Sequence, residues 1–177
     1  LTNQAITSLM QLPFDLPLGR RTYDIFAAYW PFQNNPIADK FNGIHKYVVS
    51  GQGLELSWEQ STLITGDVVA GLRQLKEGDG PDLLVHGSSV LVQTLLANGL
   101  VDELHLWTYP ITIGKGRRLF GEGTQPVNWK LTDSKTSATG VTISSFVPDG
   151  EVRTGSFGPD NPSKAELARR EQVSKEG

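Results

Sequence analysis

Hydrophobic positions along this chain come in short blocks whose period switches between two and about 3.6. Phe14-Asp15-Leu16-Pro17-Leu18 reads as a short strand, weakened at Pro17, which has no N–H to give to a ladder. After Gly19, the segment Arg20 to Tyr29 reads as a helix with Ile25, Phe26 and Tyr29 on one side, stopped by Pro31. Residues 36–44 fit a short helix, and Lys46 to Ser50 a strand that ends in Gly51-Gln52-Gly53. Trp58 to Thr65 is the next predicted strand. Asp67 then caps a helix whose Val68, Leu72 and Leu75 fall at i, i+4 and i+7, and the Gly78-Asp79-Gly80-Pro81 cluster ends it. Asp82 to His86 is a nearly continuous apolar run, the pattern of a parallel strand covered on both faces. Gly87-Ser88-Ser89 turns into a helix over residues 89–97, stopped by Asn98-Gly99. Glu103 to Tyr109 is a strand, and Trp129 to Lys135 with Val141 to Val147 make a terminal hairpin.

Alternating strands and helices followed by a hairpin predict a three-layer α/β domain with a mostly parallel central sheet and a C-terminal antiparallel hairpin. This domain covers residues 1–148, with Thr2 to Leu12 read as the end of a helix. Residues 149–177 differ in kind. They form a polar linker and then a short charged helix opened by the capping-box sequence Ser163-Lys164-Ala165-Glu166. Glu166 with Arg170, and Glu171 with Lys175, are i, i+4 pairs of the favourable orientation.

Composition narrows the chemistry. The 177 residues include no cysteine, which excludes disulfides, thiolate catalysis and cysteine metal sites. Sixteen Lys+Arg against 19 Asp+Glu give a net charge of −3, which argues against a general binder of nucleic acid or anionic membrane. No apolar run approaches the roughly 18 residues of a membrane span, and Leu1 to Met10 lack the basic and apolar regions of a signal peptide. The expectation is a cytoplasmic protein. His45, His86 and His105 sit on separate predicted strands without metal-ligand spacing, so no metal site is expected.

Two strand–turn–helix junctions carry the candidate chemistry. At Leu18-Gly19-Arg20-Arg21-Thr22, a glycine allows a tight exit from the strand, and a helix start offers free N–H groups beside two guanidinium groups and a hydroxyl. Phosphate oxygens suit such a place, although an Arg-Arg pair is equally at home as solvated surface charge. At Val85-His86-Gly87-Ser88-Ser89 the same arrangement recurs without charge; here Ser88 is either a ligand-facing hydroxyl or simply a helix N-cap. This second turn is not a Gly-x-Gly-x-x-Gly fingerprint, a Walker loop or a nucleophile elbow. Ligands of open α/β sheets bind at the carboxyl ends of strands, so two such turns at that edge imply one extended ligand with more than one phosphate. His86 ends a strand beside the second turn and is a candidate contact. The basic run Lys115-Gly116-Arg117-Arg118 is either a solvated loop or a seat for an anionic substrate group.

Five segments taken in order resemble the dihydrofolate-reductase-like superfamily, and more closely the RibD C-terminal domain family. They are Leu18 to Tyr23, Tyr47 to Ser50, Leu84 to Leu91, Leu100 to Leu106 and Pro110 to Phe120. The resemblance implies an NADPH-binding α/β reductase. It puts Arg20 near the adenosine 2′-phosphate, Arg21 and Thr22 after Gly19 at the pyrophosphate, Ser50 toward the 2′-phosphate and adenine, and Ile64 near the adenine. Gly87, Ser88 and Ser89, next to His86, match its second diphosphate turn. It further implies a homodimer, for which Trp107 and Tyr109 on one face of their strand are either apolar contacts or core residues under a helix.

The chain departs from the family pattern in three places. Members usually begin with a strand followed by a Ser-Leu-Asp-Gly-like segment, and nothing like it occurs here. Gly51 stands where members often carry arginine, and the early catalytic carboxylate of the folate reductases has no counterpart, so no proton donor is assigned. The implied reaction is NADPH-dependent reduction of a small heterocyclic substrate, most like 5-amino-6-(5-phosphoribosylamino)uracil. The alternatives are a pterin or dihydrofolate type of reductase, and a nucleotide-binding protein without turnover.

Overall fold

The computed structural model describes residues 10–153 and 161–176. Most of the helix end expected over Thr2 to Leu12, and half of the linker after residue 149, lie outside the described residues. The parallel half begins with β1 (Phe14–Gly19), α1 (Arg20–Ala27), a 3-10 turn (Trp30–Phe32), α2 (Pro36–Gly43) and β2 (Lys46–Val49). It continues through β3 (Ser61–Ile64), α3 (Val68–Lys76), β4 (Asp82–Leu83) and α4 (Ser89–Ala97). Its four strands lie parallel in the order β3-β2-β1-β4. Then β5 (Leu104–Thr108), β6 (Trp129–Thr136) and β7 (Thr142–Pro148) form a three-stranded antiparallel sheet in the order β5-β7-β6, followed by α5 (Lys164–Glu176). The α/β class with a terminal hairpin stands. The strands are divided between two sheets, and the strand after α4 joins the hairpin. Among the described residues no helix is long and apolar enough to cross a membrane.

Side chains that alternate across the parallel sheet build a core on each face. Val48 joins Leu16, Leu18, Tyr23, Phe41 and Trp58 under α1 and α2. Its neighbour Val49 points the other way, to Leu72 of α3 and Leu91 and Leu95 of α4. These two apolar layers anchor all four helices against one sheet, and so fix where each helix begins relative to the strand before it.

The apolar run at Asp82 to His86 pairs over only two residues, against the five expected, and Pro17 supplies the reason. In a parallel ladder alternate N–H groups of a strand face alternate neighbours. Leu16 N donates toward β2, to His45 O at 2.9 Å, so position 17 faces β4. Leu84 N donates to Asp15 O at 2.9 Å, and the next rung would need an N–H from Pro17 to Leu84 O. Proline has none. Pairing therefore ends, and Leu84 to His86 leave the sheet toward the turn at Gly87. The strand expected from Trp58 is likewise shorter, starting at Ser61, because Trp58 turns into the core: its backbone N–H bonds Tyr23 Oη at 3.0 Å and its Nε1 bonds Asn42 Oδ1 at 2.9 Å.

Lys46 is fully buried among these groups. Its Nζ donates to Asn42 O at 3.1 Å and Glu59 O at 3.0 Å, and lies 4.4 Å from the centre of the Trp58 ring. Burial lowers its pKa from 10.5 to about 8, against the smaller opposing pull of Glu59 and Asp15.

Candidate nucleotide-binding site

Parallel register brings the first turn and the ends of β2 and β3 to one level. Gly19 pairs with Val49, and Val49 with Ile64, so the three strands run out together at the carboxyl edge of the sheet. Ser50 follows at that edge, buried, with its N–H on Ile64 O at 3.2 Å and its Oγ accepting from Gln52 N at 3.3 Å. Ile64 is half-buried and packs under α3, where a Cβ on Gly71 would lie only 3.0 Å from its Cγ2. Its contacts are those of a core residue supporting the edge.

The second turn is tied directly to the first. Gly87 and Ser88 both adopt left-handed backbone, at φ +69° and +53°. Glycine tolerates this freely, whereas serine is held there against its preference. Two hydrogen bonds hold it. Ser88 N donates to Thr22 Oγ1 at 3.1 Å, and Gly19 N donates to Ser88 Oγ at 3.0 Å. Ser88 occupies the N-cap position of α4, but its hydroxyl makes no capping bond within that helix; it reaches across to the first turn instead. Close packing supports the lock. A Cβ on Gly87 would stand 3.6 Å from Thr22 Cγ2, and one on Gly19 would stand 3.6 Å from Ser88 Oγ.

The result is one rigid rim made from two helix starts, with the first-turn N–H groups of α1 and α4 unspent by helical bonding. Arg20 and Arg21 lie exposed at the first of these. Arg20 Nε is 4.0 Å from Asp24 Oδ2, an exposed contact of the kind that is weak and readily exchanged. Gly87, Ser88 and Ser89 with Val92, Arg118 and Leu119 line a cleft of about 320 Å³. His86 sits to one side. Its ring keeps a face to solvent, while Phe26 and Phe41 lie at centroid distances of 6.2 and 6.4 Å. The water lost on that side lowers its pKa, favouring the neutral imidazole.

Of the ten positions singled out in the sequence, Gly19, Thr22, Gly87 and Ser88 are joined by direct bonds or packing, and Ser89 follows on α4. Arg20 and Arg21 flank that group, Ser50 and Ile64 share its edge, and His86 faces the aromatic cluster. The placement of Arg118 and Leu119 in the cleft wall follows from the return of a loop distant in sequence.

The RibD C-terminal domain model matches residues 15–143, which covers both turns and most of the fold. The chain belongs to the RibD C-terminal domain family. The uncharacterized protein YyaP of Bacillus subtilis (strain 168) is 30% identical over 128 residues, 70% of this chain and 68% of that protein. Among solved structures, a putative riboflavin biosynthesis protein from Shewanella sp. PV-4 matches with a TM-score of 0.66 at 22% identity, over 81% of this chain and 78% of that one. Dihydrofolate reductase from Enterococcus faecalis, complexed with NADP(H), matches with a TM-score of 0.57 at 15% identity, over 84% and 83% of the two chains. At such identities these structures establish the fold they share with this RibD C-terminal domain.

Proposed function

We propose that the protein is an NADPH-dependent reductase of a small heterocyclic substrate, and that the joined turns at Gly19–Thr22 and Gly87–Ser89 hold the cofactor's diphosphate. The observation that carries this reading is the Gly19–Ser88–Thr22 hydrogen-bond lock. It spends two hydroxyls and a left-handed serine on fixing two helix starts side by side. Strained backbone that its surroundings over-determine in this way is characteristic of ligand sites. The residues fit the group. Helix-start N–H groups and the Ser89 hydroxyl suit diphosphate oxygens, Arg20 and Arg21 suit the 2′-phosphate and its neighbour, and the buried Ser50 closes the edge by the adenine. Family membership and the NADP(H) complex of the structurally similar folate reductase support the choice of cofactor.

When bound, the cofactor supplies the hydride. This chain's own residues bind and orient it at the sheet edge. As substrate, the family points to a pyrimidine of the riboflavin pathway type, 5-amino-6-(5-phosphoribosylamino)uracil. Replacing Arg20 with alanine is expected to weaken NADPH several-fold and leave NADH nearly unchanged, as read by titration of each variant with both nucleotides. Equal losses for the two would remove Arg20 from the 2′-phosphate.

The same reading includes a homodimer. Trp107 is half-buried on β5, while Tyr109, Ile111 and Ile113 beyond it are 52, 67 and 72% exposed, a run of apolar surface suited to a second copy. Sedimentation velocity is expected to show a dimer that Ile111→Asp with Ile113→Asp converts to a folded monomer. A monomeric wild-type protein at tens of micromolar, roughly the range where such interfaces are filled, would overturn this part.

A further inference from the structure

The basic run at 115–118 is more than a solvated loop. Arg117 Nη1 donates to Ser89 Oγ at 2.7 Å, and Gln93 Nε2 of α4 donates to Arg118 O at 2.8 Å. The loop is seated so closely on α4 that a Cβ at Gly121 would come within 2.9 Å of Gln93 Oε1. These tethers put Arg118 and Leu119 in the wall of the cleft that Gly87, Ser88 and Ser89 line from the other side. Among the described residues neither Arg117 nor Arg118 has a carboxylate within ion-pair distance. Ser89 holds the Arg117 guanidinium and Gln93 holds the Arg118 backbone at the cleft, so two adjacent arginines without counter-charge there create a local positive field in a protein whose net charge is −3.

We propose that Arg117 and Arg118 form a third side of the phosphate site and grip the same phosphoryl group as the Gly87–Ser89 turn. A guanidinium presents paired donors that match two phosphoryl oxygens, and the Ser89 hydroxyl already in contact with Arg117 marks where that group lies. The ligand chemistry is a diphosphate ester. It belongs to the cofactor because Arg117 bonds the residue that opens α4, one position beyond the locked Ser88. This inference rests on the dinucleotide reading of the two turns, and its test separates the two.

Isothermal titration of the whole chain with NADPH and with ADP, which carries the diphosphate but neither the 2′-phosphate nor nicotinamide, supplies the readout. Arg117→Ala with Arg118→Ala is expected to weaken both nucleotides by a similar factor, about ten-fold, with a shallower salt dependence. Arg117→Lys with Arg118→Lys should recover part of that loss, and it carries the comparison if the alanine pair lowers the thermal midpoint. Unchanged affinity for both nucleotides overturns the proposal. So does a loss confined to the KM of a phosphorylated substrate, which would hand the loop to the substrate. If the wild-type chain binds ADP in an arginine-dependent way but shows no preference for NADPH, the phosphate loop stands and the NADPH reading falls. If it binds neither nucleotide, both fall.

Discussion

Replacing Thr22 with valine is expected to reduce NADPH affinity by at least about ten-fold, roughly 1.4 kcal/mol, while preserving the fold. Valine copies the shape of threonine and keeps the methyl group on which Gly87 packs. It removes the oxygen that accepts from Ser88 N at 3.1 Å. That half-buried N–H then has no partner, at a cost of roughly 1–3 kcal/mol, and Ser88 has lost one of the two bonds that hold it at φ +53°. Ser88 relaxes toward ordinary backbone, its hydroxyl leaves Gly19 N, and the two helix starts lose their common register. Thr22→Ser keeps the acceptor and should bind nearly as wild type does. If valine binds NADPH as tightly as threonine does, the lock does not organise the site.

The second large effect concerns Lys46. Lys46→Ala is expected to cost about 2–4 kcal/mol, because it removes the buried stem that fills space beside Trp58 as well as both hydrogen bonds. Lys46→Met keeps most of the stem and should lose far less. The ammonium itself leaves a signature in pH. Its folded pKa, about 8, is below the 10.5 of the unfolded chain, so between these values the unfolded state binds more protons. Stability must then rise with pH across that window, and fall again as pH drops through 8 and the buried amine takes up its charge. Denaturant unfolding of wild type and Lys46→Met from pH 7.5 to 10 checks this. The wild type should gain stability relative to the methionine variant, and parallel curves would show that Lys46 is not buried as described.

Lys46 also shows where sequence reading stops. In the segment Lys46-Tyr47-Val48-Val49 it looks like the polar end of a strand, and only tertiary structure reveals that Asn42 and Glu59 bring carbonyls to it. Local signals fared better. Asp67 caps α3 by accepting from Ala70 N at 3.0 Å, and Glu166 pairs with Arg170 at 2.8 Å, because both depend on neighbours within a single helical turn. Glu166 is held down to a pKa of about 2 by hydrogen bonds from Arg169 and Arg170. Pro17 was legible as a missing donor, but which neighbour it deprives depends on register, so the early end of β4 was not. The same limit applies at the site. Glycine, serine and arginine near helix starts identify both turns from the sequence. That Ser88 would bond Gly19 in place of its own helix, and that Arg117 would return to Ser89, depends on partners 69 and 28 residues away. No periodicity encodes contacts of that range.

The dinucleotide reading makes a quantitative demand on the purified chain. Four tryptophans provide the signal for a fluorescence titration with NADPH and, in parallel, NADH. Saturable binding of NADPH and distinctly weaker binding of NADH are expected, because Arg20 is the residue proposed to meet the 2′-phosphate that only NADPH carries. Equal affinity for the two nucleotides, or binding of neither, would contradict it.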